Sequence, residues 1–140
     1  MAASPIFFAT PTVTASVISA TAYGGTRTAP TGTTTIYTGS TTVAHQIRRI
    51  TVKSLLTSVL GYVDFWLYDG TTYYHLPNSI LIEGKAGSTT VDPWFSRVVF
   101  GEGNNSMILP ARAGTAWTIV AGASVTQTTA IACVVHGAVE

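Results

Sequence analysis

Six carboxylates, three histidines and one cysteine are the side chains of this 140-residue chain with which a reaction could be run. His45, His75 and His136 stand far apart in sequence, and none has the short spacing of a metal-binding motif. Asp69, Asp92 and Glu102 fall at turns, where acidic side chains commonly serve the backbone. Asp64 is different. It lies inside the most apolar stretch, on a strand face shared with Tyr62 and Trp66, so that face is either wet or holds a partner for the carboxylate, such as an arginine. Cys133 sits among Ile131, Ala132, Val134 and Val135 and reads as a buried structural thiol. A single cysteine forms no intrachain disulfide, which fits a reducing compartment. There is no Gly-x-Ser-x-Gly elbow, phosphate loop or dinucleotide fingerprint. We therefore expect no catalytic, cofactor-binding or metal site.

Two other groups could recognise a partner. Arg48 and Arg49, with Lys53, form the one basic cluster. Adjacent residues of a regular strand point to opposite faces, so Arg48 and Arg49 are not expected to share a patch, and no basic stripe for nucleic acid follows from them. Trp66, Trp94, Trp117, Tyr73 and Tyr74 offer rings on which a sugar could stack, although core packing accounts for most such rings. Trp66 and Tyr68 share a face opposite Phe65 and Leu67. If the latter pair is core, the former is exposed, covered by a second layer, or at an interface, where Tyr and Trp are enriched.

The elements that would position these residues are strands. Leu60 to Tyr68 alternates Val63, Phe65 and Leu67 against Tyr62, Asp64, Trp66 and Tyr68, and Asp69-Gly70 signals a hairpin returning through 72–76. Further strands are expected over 12–20, 33–38, 45–53, 79–83, 89–91, 95–100, 107–109, 116–121 and 129–136. A glycine- and threonine-rich loop spans 23–32, and strong turns lie at 84–87 and 101–105. The segment 53–60 is expected to be extended or bulged rather than helical. About eight to ten short strands at intervals of ~8–12 residues describe an all-β sandwich, and the irregular connections favour a jelly roll, with the strand order left open. We expect one jelly-roll-like β-sandwich domain over 12–140. It is preceded by an N-terminal arm, 1–11, in which Pro5 and Pro11 flank Ile6, Phe7 and Phe8.

Only 9% of the residues are charged, against roughly 25% in ordinary domains, and the net charge is +1. A chain with so little charge has weak protection against association, which favours life in an assembly. The N-terminus lacks the basic region and apolar core of a secretory signal, and no run approaches the ~20 apolar residues of a membrane helix.

The segments Thr-Thr-Thr-Ile-Tyr-Thr (33–38), Ile-Arg-Arg-Ile-Thr-Val-Lys (47–53), Phe-Trp-Leu-Tyr-Asp-Gly-Thr-Thr-Tyr-Tyr (65–74), Met-Ile-Leu-Pro-Ala (107–111) and Ala-Trp-Thr-Ile-Val-Ala (116–121) carry a family resemblance. Over roughly residues 33–136 the chain resembles small virion proteins of tailed bacteriophages. It is most similar to jelly-roll cement proteins that decorate capsids, of the type on a Bordetella short-tailed phage. The resemblance implies a non-enzymatic clamp. Such a protein is made in the host cytoplasm, sits on the outer capsid surface, and holds neighbouring major capsid subunits together. Its implied partners are the major capsid protein and itself, as a homodimer ahead of a trimer, with no nucleic acid, membrane or cofactor. The interface candidates are Ile6, Phe7, Phe8, Arg48, Arg49, Trp66, Tyr68, Tyr73 and Tyr74. A tail, collar or fibre component is the alternative reading, and a carbohydrate-binding module stands behind it.

Overall fold

The computed structural model describes residues 7–88, 95–99 and 106–140. Pro5, Ile6, Asp92, Trp94, Phe100, Glu102, the expected strand at 89–91 and the turn at 101–105 lie outside the described residues. The described chain is all strand and loop: β1 (Thr10–Ile18), β2 (Gly24–Gly25), β3 (Pro30–Thr31), β4 (Thr34–Thr38), β5 (His45–Ser54), β6 (Gly61–Tyr68), β7 (Tyr73–His75), β8 (Ile80–Ile82), β9 (Phe95–Val99), β10 (Met107–Leu109), β11 (Thr118–Ala123) and β12 (Ile131–Val139).

These strands form two packed antiparallel sheets. The first runs β1-β12-β5, with β10 and β9 both paired to the far side of β5. The second runs β4-β11-β6, with β7 and β8 both paired to the far side of β6. We treat β7 with β8, and β9 with β10, as one interrupted strand each. Setting aside the two-residue β2 and β3, the strand positions then read 1-8-3-6 in one sheet and 2-7-4-5 in the other. That is the connectivity of a jelly roll. The aromatic hairpin β6–β7 and the small β2–β3 ladder are local pairings; most other ladders join distant segments, as in Thr10↔Val139 at the start of the β1–β12 pair.

The core lies between the sheets. Ile47, Ile50 and Val52 of β5, with Ile131, Cys133 and Val135 of β12, face Val63 and Phe65 of β6 and Ile119 and Ala121 of β11. Burial pushes the Cys133 thiol up to about 11, so it stays protonated and packs as a small apolar group. At one end of the sandwich His45 Nδ1 lies 2.7 Å from Tyr37 Oη, and burial holds His45 below the ordinary histidine range.

Two strand expectations change. β1 starts at Thr10, so Pro11 lies within the ladder; β1 is an edge strand, where the missing N–H of proline can face solvent. The loop at 23–32 contains the small β2–β3 ladder, turned through Gly25 at φ +70°. A side chain at Gly25 would meet the Ala29 carbonyl oxygen at 2.3 Å, so the tight turn requires glycine there.

Candidate functional site

Among the described residues, the outer face of β6 carries a constellation of titratable groups that chemistry could use, centred on Asp64. β6 alternates as expected: Val63 and Phe65 enter the core, and Tyr62, Asp64, Trp66 and Tyr68 take the other face. That face is dry at its centre, because the loop between β1 and β4 folds back over it. Tyr23 covers Gly122 of β11, where a side chain would collide with the ring at 3.0 Å. The Tyr23 ring meets Trp66 edge-on with centroids 4.8 Å apart, and its backbone N–H donates to the Ala123 carbonyl. Trp66 Nε1 donates to the Arg27 carbonyl at 2.6 Å. Trp66 and Asp64 are both 0% exposed.

The Asp64 carboxylate is saturated with donors. Tyr23 Oη donates to Oδ2 at 2.7 Å, Ser79 Oγ donates to Oδ1 at 2.5 Å, and His75 Nε2 lies 3.3 Å from Oδ1. Arg27 Nε is 4.0 Å from Oδ2 on a side chain that is 61% exposed. Burial pushes the Asp64 carboxyl up, but the hydrogen bonds from Ser79, Tyr23 and His75 and the charge of Arg27 outweigh it, and the group is held below the usual carboxylate range. Burial beside Asp64 raises the Tyr23 phenol. Serine and histidine both address the carboxylate instead of each other. In a nucleophile–base relay the histidine stands between serine and acid. Here every donor ends on one anion, so the arrangement holds a charge and ties down a loop. Sequence reading singled out Asp64 and an arginine partner. It missed Tyr23, His75 and Ser79, which come from three other segments.

The tip of the aromatic hairpin is a second cluster. Asp69 Oδ1 accepts from the backbone N–H groups of Thr71 and Thr72 at 2.8 and 2.7 Å, and these bonds hold its carboxyl below the ordinary range. Gly70 follows at φ +95°. Tyr68 and Tyr73 stack on each other at 4.2 Å, so each ring uses one face on its neighbour. Tyr74 is exposed and lies edge-on to Trp117, whose ring also receives Arg112 at 5.2 Å. Arg112 Nη1 donates to the Asp69 and Thr115 carbonyls.

The third region is the outer face of β5. Its expected geometry is corrected by a β-bulge. The β5–β12 ladder pairs Arg49 with His136 and then Ile47 with Gly137, so Arg48 is the extra residue. A bulge breaks the alternation. Ile47 and Ile50 both enter the core, and Arg48 and Arg49 between them both lie on the outer side. They do share one patch. Gly137 makes room for the bulge: a side chain there would sit 2.3 Å from the Gln46 carbonyl oxygen.

Among the remaining interface candidates, Phe7 is exposed, Phe8 is half-buried and Ile6 lies outside the described residues. Trp66 is a correction. It is covered by the chain's own loop, the second-layer alternative, and presents no surface to a partner or a sugar. Among the described residues no group of three or more His, Cys, Asp or Glu could hold a metal ion. A shallow cleft between the edges of β1 and β4 is lined by Thr14, Ala15, Ser16, Thr35, Ile36, Tyr37 and Thr38, a mixture of hydroxyl-bearing and apolar side chains. No protein-family model, no curated protein and no solved structure matches this chain.

Proposed function

We propose that the chain is a non-enzymatic structural protein of a virion, which docks on the outer capsid surface and clamps neighbouring major capsid subunits. The observation that carries this reading is where the apolar and polar side chains are spent. The Asp64 cluster is consumed in holding a loop, while Val13, Val17, Tyr62, Tyr74, Leu81 and Ile108 stand exposed on strands of the two sheets. Exposed apolar side chains on the strands of a chain with so little charge suit a protein that binds other protein surfaces. The likeness of segments 33–136 to phage cement proteins points to the same assembly. The clamp works by mass action: a protein that binds only the assembled shell stabilises it by about 2.7 kcal/mol per site at a hundredfold excess over Kd.

Copy number in purified particles, measured against the major capsid protein, tests the reading. Hundreds of copies support it, and deletion of the gene should then lower the temperature at which particles burst. About a dozen copies or fewer would assign the chain to a tail or collar instead, and absence from particles would overturn the virion reading.

A further inference from the structure

We propose that the open edge of β1 is a self-association site, which takes β1 of a second copy as its antiparallel neighbour about a two-fold axis at Ala15. This association is separate from shell docking, and its test needs no particles. β1 has nine residues and pairs on one side only, with β12. Native sheet edges are blunted by shortness, charge, bulges or proline. Other edges of this sandwich follow that rule: β7 with β8, and β9 with β10, divide theirs into pieces of three to five residues. β1 past Pro11 has none of these devices. Residues 12–18 pair with β12 without a register shift and carry no charge.

Three observations show which backbone groups are open. The N–H and C=O of one residue in an antiparallel strand point to the same side, and successive residues alternate. Pro11 lacks an N–H, and a proline within a ladder keeps its nitrogen on the unpaired side. Ser19, in phase with Pro11 and one residue past the strand, donates its N–H to Thr34 Oγ1 of β4, away from β12. Ala20, in the other phase, accepts from the N–H of Gln127, in the segment that leads into β12. Val13, Ala15 and Val17 therefore present their N–H and C=O groups at the open edge, where no hydrogen bond answers them among the described residues.

These groups select the partner and its register. Two copies of β1 set antiparallel about Ala15 place Val13 opposite the second copy's Val17, and Ala15 opposite its own copy, each pair exchanging both N–H···O bonds. Centred on Thr14, Pro11 would meet Val17 with no N–H to give. Centred on Ser16, Val13 would meet Ser19, whose N–H already serves Thr34. The register at Ala15 alone uses every open group, and Pro11 and Ser19 end the ladder on both sides. Val13 is 67% and Val17 56% exposed on the outer face, so the same register sets valine against valine on both sides of the axis. Residues 10–19 carry no charge, so no like-charge repulsion opposes the pair. A foreign strand would answer the backbone; a second copy answers the backbone and both valines under one two-fold axis.

The test is sedimentation of the purified full chain from about 10 μM to about 1 mM, with amide exchange followed by NMR at both ends of that range. Four variants are compared with the wild type. A15P removes an N–H from the open edge alone, as Pro11 already does. V13K/V17K sets lysine against lysine across the axis, and V13K/V17E sets lysine against glutamate. L81K, on the outer face of the other sheet, is the control, and thermal unfolding confirms that each variant is folded. The wild type should dimerise within the range, and the amides of Val13, Ala15 and Val17 should gain protection as concentration rises. A15P and V13K/V17K should weaken association at least about tenfold, V13K/V17E should stay within about threefold of the wild type, and L81K should change it less than about twofold. Added salt should narrow the gap between the two charge variants. A wild type that stays monomeric throughout, or a dimer undiminished in A15P and V13K/V17K, would overturn the proposal. V13K/V17E as weak as V13K/V17K would overturn the two-fold register. Each of these failures leaves the virion reading standing, because that reading is decided by copy number in particles.

Discussion

The outer faces of the two sheets begin from similar strands and are finished differently. On β6, Asp64 and Trp66 point away from the core and are nevertheless 0% exposed, because the chain supplies its own cover in the 20–32 loop. On β1 and β5, Val13, Val17 and Arg48 also point away from the core and stay exposed. The first face resolves its buried charge within the molecule: three hydrogen-bond donors and an arginine meet one carboxylate. The second has Arg48 and aliphatic groups exposed side by side, with no loop laid over Val13 and Val17 among the described residues. A face completed internally contributes to the stability of the fold. A face left open contributes little to the fold and is free to act between molecules.

The largest test of that contrast is Trp66→Ala. It removes a fully buried ring under Tyr23 and should cost about 3–5 kcal/mol in urea unfolding, with faster proteolysis in the 20–32 loop. A cost below about 1 kcal/mol would mean that the loop does not seal this face. Asp64→Asn keeps the shape but places an amide where Tyr23 or Ser79 needs an acceptor. It should cost ~1–3 kcal/mol, because a buried donor is then left unpaired. Tyr23→Phe, which keeps the ring on Trp66 and removes only the hydroxyl, should cost less than Trp66→Ala and separate the packing from the charge.

Gly137→Ala tests the other face at comparable size. Its new methyl would press on the Gln46 carbonyl, so the bulge must shift, at ~1–3 kcal/mol. Chemical-shift changes should spread to Arg48 and Arg49. A neutral substitution with unchanged shifts would show that the bulge does not depend on this glycine.

The two faces were not equally legible in the sequence, and the reason is the range of the interactions. The alternation along 60–68 is local, so the assignment of Phe65 to the core and Trp66 to the opposite face could be read from spacing alone. The hairpin at Asp69-Gly70 was legible for the same reason. The cover over Trp66 was not, because Tyr23 and Arg27 lie in a segment whose glycines and threonines identify only a loop. The pairing of Arg48 with Arg49 was misread because alternation assumes an unbroken ladder. The break comes from Gly137 on a strand at the far end of the chain. Strand order was hidden likewise: most of the ladders join segments distant in sequence, and composition carries no record of which edge meets which.

Acid should separate two of the polar contacts by pH. Burial holds His45 below the ordinary value of 6.5, so the neutral form is favoured in the fold. Its contribution is complete above that value and is lost as pH falls from there through the lower folded pKa. Asp64 is depressed below the ordinary 3.8, so its contribution is present above that value and lost only as pH falls through its folded pKa. Unfolding temperature between pH 7 and 5 should therefore decline in the wild type, and less in His45→Gln. Asp64→Asn should flatten the profile only in stronger acid. A His45→Gln profile parallel to the wild type would place the mild-acid loss on another group.

The smallest expected effect bears most directly on the open face. Val13→Thr with Val17→Thr keeps the β-branched shape and the strand preference and adds hydroxyls that water can satisfy. On an exposed column this should change stability by less than about 0.5 kcal/mol. The same exchange at Val52, which is fully buried on the core side of β5, puts a hydroxyl among apolar neighbours and should cost about 1–3 kcal/mol. The comparison holds residue type and sheet constant and varies only the face. If the β1 pair costs as much as Val52→Thr, then Val13 and Val17 are covered in solution, and sedimentation of the wild type against the double variant would show whether the cover is a second copy. If the β1 pair is neutral in unfolding and still weakens binding to particles, the two valines contribute between molecules and not within the fold.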